Sequence, residues 1–191
     1  MPSLFPTLGK NPLSPARSLS LLAALLAGCA GEPHPADGRR DTSLMADQAI
    51  EFKVRTAVYD DDNMAANAHV SVTSINARVL LTGETPTQAM RNFAVKAARN
   101  VEGVKEVYDE LAIAPPSSLK SRSHDTWLST KVRALLLRKL GLDGRRIKVT
   151  TERKVVYLLG VITRAEGKQA TEIARNVEGV EKVATLFEFV D

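Results

Sequence analysis

Hydrophobic and polar positions along the chain follow one pattern that occurs twice. The segment 98–104, Ala-Arg-Asn-Val-Glu-Gly-Val, recurs unchanged at 174–180, an offset of 76 positions. Further upstream, the apolar run at 79–83 matches the run at 156–160 at an offset of 77. An offset that changes by one between segments is typical of two copies of one fold whose loops differ by single residues. The pattern therefore predicts an internal duplication.

Within each copy, the spacing of apolar residues predicts five elements in the order α-β-β-α-β. The first helix has apolar residues three or four positions apart, and Asp47 and Asp125 stand where its N-cap is expected. Two alternating strands follow, then a helix opened by a capping-box sequence at Thr85 or Thr163, then a last strand. We predict an α+β fold in which each copy is a three-stranded mixed sheet with two helices on one face.

Segments of turn-forming residues separate the two copies and precede them. We place the first domain at 47–113 and the second at 124–191. Residues 114–123, rich in proline and serine, predict a short and partly stiff linker. Residues 29–46 predict a flexible tether. The remaining residues, 1–28, predict a signal peptide that is removed.

The signal-peptide prediction depends on the order of basic, apolar and small residues before the sole cysteine. The apolar run at 18–27 is about half as long as the roughly 20 residues that a membrane-spanning helix needs. The sequence Leu-Ala-Gly-Cys29 resembles a lipobox, which implies cleavage before Cys29 and acylation of this residue, palmitate included. By the same resemblance, Ala30 in place of aspartate implies sorting to the outer membrane. The alternative is a buried free cysteine in an ordinary hydrophobic helix.

Composition and charge exclude several classes of chemistry. The chain has 26 Lys and Arg against 22 Asp and Glu, and a net charge of +4 is too mild to indicate nucleic acid. One cysteine excludes a disulfide framework and a multi-cysteine metal site. His34, His69 and His124 have no carboxylate or cysteine at ligand spacing. We therefore predict no catalytic residue, no metal and no cofactor, and a hydrolase is the weakest hypothesis.

The first helix of the second copy has a second apolar stripe that the fold does not require. At about 100° per residue, Trp127 and Leu137 lie roughly opposite the side of Leu128 and Val132. Over residues 120–139, six cations accompany one carboxylate. A tryptophan-containing stripe between long cations is typical of an interfacial membrane helix. The candidate lipid-contacting residues are Trp127, Thr130, Lys131, Arg133, Ala134, Leu137, Arg138, Lys120 and Arg122.

The corresponding helix of the first copy has the opposite charge. Over residues 47–62, two cations accompany five carboxylates, so an anionic surface should repel this helix. Its outer residues Phe52, Thr56 and Tyr59 are predicted to pack on the other domain or on a protein partner. The carboxylates at 60–62 lack the spaced ligands and glycine of an EF-hand loop and are predicted to be a solvated helix end.

The repeated unit resembles the BON domain of bacterial envelope and osmotic-stress proteins. In the second copy, segments 124–133, 147–152 and 183–190 resemble outer-membrane lipoproteins that carry two such domains. Members usually have glycine at the hairpin turn, where this chain has residues 76–77 and 153–154. The resemblance implies a non-enzymatic protein, anchored to the outer membrane and facing the periplasm, whose second domain binds anionic phospholipid, specifically phosphatidylglycerol. It also implies a role in outer-membrane integrity and recruitment to cell-division sites.

A protein adaptor is the main alternative function. In that case the second stripe would dock on outer-membrane assembly proteins or on the first copy, and Trp127 would be buried there. The cations around the stripe, Arg133 in particular, would then be an ordinary solvated face.

Overall fold

The computed structural model describes residues 41–191, which form two domains of the predicted α+β type. The predicted signal peptide at 1–28, Cys29 and the tether as far as residue 40 lie outside the described residues. The first domain consists of α1 (Asp41–Tyr59), α2 (Asp62–Asn67), β1 (His69–Ile75), β2 (Arg78–Thr85), α3 (Gln88–Arg99) and β3 (Glu106–Ile113). The second domain consists of α4 (Leu119–Leu140), β4 (Ile147–Glu152), β5 (Val155–Ile162), α5 (Arg164–Arg175) and β6 (Lys182–Phe189).

Each domain has the predicted three-stranded mixed sheet. The hairpin strands, β1 with β2 and β4 with β5, pair antiparallel, and the central strand pairs in parallel with the last one. Helices α1 and α3 pack on one face of the first sheet, and α4 and α5 pack on one face of the second. The short helix α2 was not predicted, and its N-cap is Asp61, whose carboxylate accepts a hydrogen bond from the backbone N–H of Met64.

Asp47 and Asp125 were predicted to be N-caps, and this prediction is wrong because both helices begin before them. Each carboxylate is almost completely buried and accepts hydrogen bonds from the backbone of its hairpin turn. In the second domain, Asp125 accepts from the N–H groups of Arg153 and Lys154, both at 2.9 Å. These two turn residues have φ of 51° and 63°, a left-handed conformation that glycine adopts most easily. The buried carboxylate therefore stabilises a turn that has no glycine.

The first helix of each domain extends into a segment predicted to be irregular. Helix α1 begins at Asp41, within the predicted tether, and α4 begins at Leu119, within the predicted linker. The N-cap of α4 is Ser118, whose hydroxyl accepts a hydrogen bond from the N–H of Ser121 at 3.2 Å. These earlier starts lengthen the surfaces that both helices present.

The second helix of the first domain begins later than predicted. Its N-cap is Thr87, whose hydroxyl accepts from the N–H of Met90 at 3.2 Å, and Thr85 belongs to strand β2. Pro86 therefore precedes the cap and does not occupy the first helical position.

The second helix of the second domain has the predicted capping box. The side chains of Thr163 and Glu166 each accept a hydrogen bond from the backbone N–H of the other residue. Glu166 also forms a bidentate ion pair with Arg146, in which both N–O distances are 2.7 Å. The hydrogen bonds from Arg146, despite partial burial, lower the pKa of Glu166 from 4.5 to about 2. The ionised carboxylate thus connects the start of α5 to the loop before β4.

We expect Glu166→Gln to lower the free energy of unfolding by about 1–3 kcal/mol at pH 7, because the charge on Arg146 loses its partner. A carboxyl group whose pKa is depressed by folding contributes stability above its unfolded pKa of 4.5 and loses it as pH falls toward 2. Urea unfolding at pH 7 and at about pH 2.5 should therefore show the difference between variant and wild type shrinking in acid. The exposed Glu178→Gln is the control, and an equal effect of both variants would contradict the assignment.

The two sheets pack against each other through the faces that carry no helix. Strand β5 is consequently buried on both sides: Val156 and Leu158 face the helices, whereas Tyr157 and Leu159 face the first domain. Phe52 was predicted to pack on the other domain or on a protein partner, and its 68 % exposure excludes the first of these alternatives. The shared cluster consists of Ile75, Leu80, Tyr157, Leu159 and Val161, with Tyr108, Val155, Ala184 and Leu186 partly buried around it.

Polar contacts at the edge of this cluster also join the domains. Lys148 Nζ lies 2.7 Å from Glu51 Oε1, which ties strand β4 to helix α1. Arg78 and Asn76 both donate to Glu188 Oε2, at 3.0 and 3.2 Å, which ties the first hairpin to strand β6. The domains therefore share a continuous interface and are not two independent modules.

Candidate functional site

Helix α4 presents an apolar ridge that no other part of the described chain covers. Leu128, Val132 and Leu136 on its inner side are completely buried against the second sheet. On the outer side, Trp127 and Leu137 are 51 % and 56 % exposed. The exposed apolar residues on this side and the small residues between them are called the outer ridge. It consists of Leu119, Trp127, Thr130, Ala134 and Leu137.

The surroundings of Trp127 come from its own helix. Lys131 Nζ lies 4.7 Å from the centre of the indole, and the His124 ring lies 5.7 Å from it. The alternative in which the first copy buries this indole is not what the structure shows, because half of the side chain is exposed. A lysine at this distance from the indole makes a cation–π contact and places a positive charge beside the ring.

Three of the predicted cations lie along the Trp127 edge of the ridge, and the other two, Arg122 and Arg133, lie along its opposite edge. Lys120, Lys131 and Arg138 lie on the same side of the helix as Trp127. Arg133 instead donates from Nη2 to the carbonyl of Val149, and its partial burial lowers its pKa. Arg133 is nevertheless exposed, and it lines a groove together with Thr130, Ala134 and Leu137.

Arg122 is turned in the same direction as Arg133. Both line a crevice of about 180 Å³ between the domains, where they meet Glu152 and His69. The Nε atom of Arg122 is buried without a hydrogen-bond partner among the described residues. Arg122 is therefore directed into the crevice, whereas the exposed Arg133 stays beside the ridge.

Leu119 is a ridge residue that sequence analysis missed. Its side chain is 76 % exposed, and at about 100° per residue it lies on the same side of the helix as Leu137. Residue 119 was assigned to the linker because α4 was predicted to start at Asp125. The N-cap residue Ser118 was the sequence signal that could have shown the earlier start. With Leu119 the ridge extends along the whole helix.

A groove runs beside the ridge and is lined by both domains. It has a volume of about 670 Å³, and its lining includes Ala134 and Leu137 of α4, Ile147 of β4 and Val72 of the first domain. The ion pair between Lys148 and Glu51 lies in this groove. The first domain thus contributes to the surface next to the ridge.

Helix α1 of the first domain also exposes apolar residues, but in acidic surroundings. Met45 and Phe52 are 71 % and 68 % exposed. Tyr59, at the position that corresponds to Leu137, turns inward and exchanges hydrogen bonds with the backbone of Val70 at 2.7 and 3.1 Å. The two first helices are therefore alike in fold and different in charge and in exposed side chains.

One histidine does have carboxylate partners, which corrects the sequence-based expectation. His69 Nδ1 lies 3.3 Å from Glu84 Oε2 and 3.9 Å from Glu152 Oε2. The ring of His124 lies beside that of Trp127. His34 lies outside the described residues. No helix within residues 41–191 has the length and hydrophobicity needed to cross a bilayer.

Comparison with known proteins places both domains in one family. Residues 46–115 and 124–191 each match the BON domain. The chain is 36 % identical over 195 residues to the outer membrane lipoprotein DolP of Haemophilus influenzae, a match that covers 94 % of this chain and 99 % of that protein. It is 31 % identical to a 21 kDa hemolysin of Actinobacillus pleuropneumoniae, covering 94 % and 92 % of the two chains. It is also 36 % identical to osmotically-inducible protein Y of Escherichia coli, covering 74 % and 71 %.

Proposed function

The chain belongs to the BON-domain family, and on this premise we propose that it is a non-enzymatic outer-membrane lipoprotein whose second domain binds anionic phospholipid through the outer ridge of α4. The relatives that match it include an outer membrane lipoprotein and an osmotically inducible protein. The observation that carries the proposal is the exposure of Trp127 and Leu137 on a strongly basic helix. A soluble protein gains nothing in stability from such residues on its surface, whereas a bilayer offers them a partner.

The ridge has the composition of an interfacial membrane helix. The indole of Trp127 is suited to the depth of the lipid headgroups, and Leu137 and Leu119 can enter the boundary of the acyl chains. Burying one leucine contributes about 2 kcal/mol. The apolar residues therefore supply part of the binding free energy and set how the helix lies on the surface.

The cations supply the larger part and the selectivity. Lys120, Lys131 and Arg138 lie on the Trp127 side of α4, and each contributes about 1 kcal/mol near an anionic surface. Their sum exceeds the contribution of Leu137, so binding should depend on lipid charge and weaken as salt shortens the screening length below about 10 Å. Phosphatidylglycerol is the anionic lipid that the family resemblance favours.

Acylation of Cys29 would hold the protein at the membrane independently of the ridge. Several acyl chains, each stabilised by about 0.8 kcal/mol per buried methylene, give durable anchoring. We place the two domains on the periplasmic side of the outer membrane. Against this background, the ridge would select the parts of the membrane that are rich in anionic lipid, including division sites, and so support envelope integrity.

The test is flotation of residues 30–191 with vesicles, because both domains lie within this segment and it cannot be acylated. We expect binding to vesicles that contain phosphatidylglycerol and little binding to phosphatidylcholine alone. Trp127→Glu should weaken binding about tenfold or more, since it removes the indole and adds a repelled charge. In the unmutated protein, the fluorescence of Trp127, the sole tryptophan, should shift to the blue on binding.

The matched control is Phe52→Glu, which places the same charge on a more exposed aromatic residue of the first domain. It should leave vesicle binding unchanged, and thermal unfolding of both variants should show that they are folded. Equal binding to charged and uncharged vesicles, or full binding by Trp127→Glu, would contradict the proposal.

A protein adaptor is the second candidate, and one observation favours it for the first domain. Met45 and Phe52 are exposed on a helix whose carboxylates an anionic membrane would repel. Such a surface suits a protein partner with basic residues, for example a component of the outer-membrane assembly machinery. If Phe52→Glu impairs envelope integrity in cells and leaves vesicle binding intact, the adaptor function is supported beside lipid binding.

A further inference from the structure

Three potential ligand side chains meet where the two domains join. His69 is the first residue of β1, and Glu84 lies directly opposite it on β2 in the register of the hairpin. Glu152 ends strand β4 in the second domain. One nitrogen or oxygen from each side chain lies within 4.8 Å of the others.

Both carboxylates are buried, and each has an oxygen without a partner. Glu84 is 0 % and Glu152 is 7 % exposed. Glu84 Oε2 accepts from the N–H of Ser117 at 3.1 Å, but its Oε1 has no hydrogen-bond partner among the described residues. Glu152 Oε1 also has none, and its Oε2 reaches only the 3.9 Å contact with His69. A buried carboxylate with an unmade bond is costly, so this place calls for an additional positive group.

The arginine nearest the two carboxylates does not satisfy their free oxygens. Arg122 lines the same crevice as Glu152, but among the described residues it donates no hydrogen bond to either carboxylate. A divalent cation would neutralise both carboxylates at once and occupy the free oxygens.

We propose that His69, Glu84 and Glu152 together bind one divalent cation of the zinc or manganese type at the boundary between the two domains. Two ligand atoms that are each about 2.0–2.1 Å from a tetrahedral metal lie about 3.3 Å apart, which is the distance from His69 Nδ1 to Glu84 Oε2. The 3.9 Å contact with Glu152 needs a movement of about half an ångström. Water would complete the coordination, since the crevice reaches His69 and Glu152.

The ligand set also predicts which cations bind. One imidazole nitrogen with two carboxylate oxygens suits zinc or manganese, whereas magnesium and calcium prefer sites made of oxygen atoms alone. Because two ligands come from the first domain and one from the second, the bound cation would fasten the domains together. A cation that binds only the folded protein raises its unfolding temperature.

The experiment measures zinc and manganese binding to the full-length protein in detergent by titration calorimetry, together with thermal unfolding. We expect one site per chain and a rise in the unfolding midpoint of about 5–10 °C at about 100 times Kd. Glu152→Gln and His69→Gln should each weaken binding about tenfold or more and abolish the rise. Magnesium should leave the midpoint unchanged.

Two controls separate loss of the site from loss of the fold. Glu152→Gln removes a buried negative charge, so the metal-free variant should unfold at or above the temperature of the wild type. His124→Gln changes an exposed histidine beside Trp127 and should retain the cation-induced rise. Absence of a saturable site in the wild type, or an unchanged rise in Glu152→Gln, would overturn the proposal.

Discussion

Gly83→Ala is expected to unfold the first domain or leave it only marginally stable. Gly83 has φ of +110°, and a Cβ atom there would lie 2.0 Å from the carbonyl oxygen of His69 on the neighbouring strand. The contact is with backbone, so relief requires the β1–β2 pairing to open at its end. The strain and the broken pairing should together cost about 3 kcal/mol or more, a large part of the 5–15 kcal/mol that stabilises a typical domain. Urea unfolding followed by circular dichroism measures this loss.

Two other glycines provide a graded control for this prediction. Gly141 ends α4 with φ of +65° and open space around it, so Gly141→Ala should cost only about 1 kcal/mol. Gly144 has open space and no positive φ, so Gly144→Ala should change stability by less than about 0.5 kcal/mol. If all three variants lost similar stability, the close approach at Gly83 would not be the cause.

Leu159→Asp is expected to separate the two sheets. Leu159 is 0 % exposed, faces the first domain from the central strand β5 and belongs to the same cluster as Leu80. A carboxylate there has no cation to pair with in this apolar cluster, so we expect a loss of about 3–5 kcal/mol. Thermal unfolding should change from one cooperative transition to two, or to one at a much lower temperature, and small-angle scattering should show a larger radius.

The matched control is the same substitution at Leu137, which is 56 % exposed on the outer ridge. Leu137→Asp should leave unfolding almost unchanged and weaken vesicle binding, whereas Leu159→Asp should destabilise the fold. A single unfolding transition at the temperature of the wild type in Leu159→Asp would show that the contact between the sheets contributes little.

The duplication and the α+β architecture could be predicted from the sequence because they depend on local signals. Apolar spacing, alternating strands and repeated segments report short-range structure directly. The packing of the two sheets was missed, although the run at 155–162 is apolar on both faces and such runs are typical of strands buried on both sides. That run was predicted only as an alternating strand, which has one apolar face.

The errors at the starts of α1 and α4 have one physical cause. Aspartate near the beginning of an apolar helical pattern usually caps that helix, but at Asp47 and Asp125 the carboxylate serves a hairpin about 27–30 residues away in sequence. A tertiary hydrogen bond of this range leaves no signal in the local pattern. The same turn residues also explain how the hairpins form without glycine.

The candidate site was predictable in part for similar reasons. The outer positions of Trp127 and Leu137 follow from helical geometry, which the sequence reports well. The directions of Arg122 and Arg133 depend on the crevice between the domains, and so does the meeting of His69 with Glu152. These depend on how the domains pack, which one copy of the repeat does not encode.

The core shared by the two sheets prevents the rotation of one domain relative to the other that two separately folded, linked domains would have. When α4 lies on a bilayer, the orientation of α1 is fixed as well. The exposed side chains of Met45 and Phe52 then point in one direction relative to the membrane. If the second domain binds the bilayer, the first domain is therefore held in a fixed orientation relative to the membrane. A protein partner that binds the first domain would do so at a fixed angle and a fixed distance from the lipid.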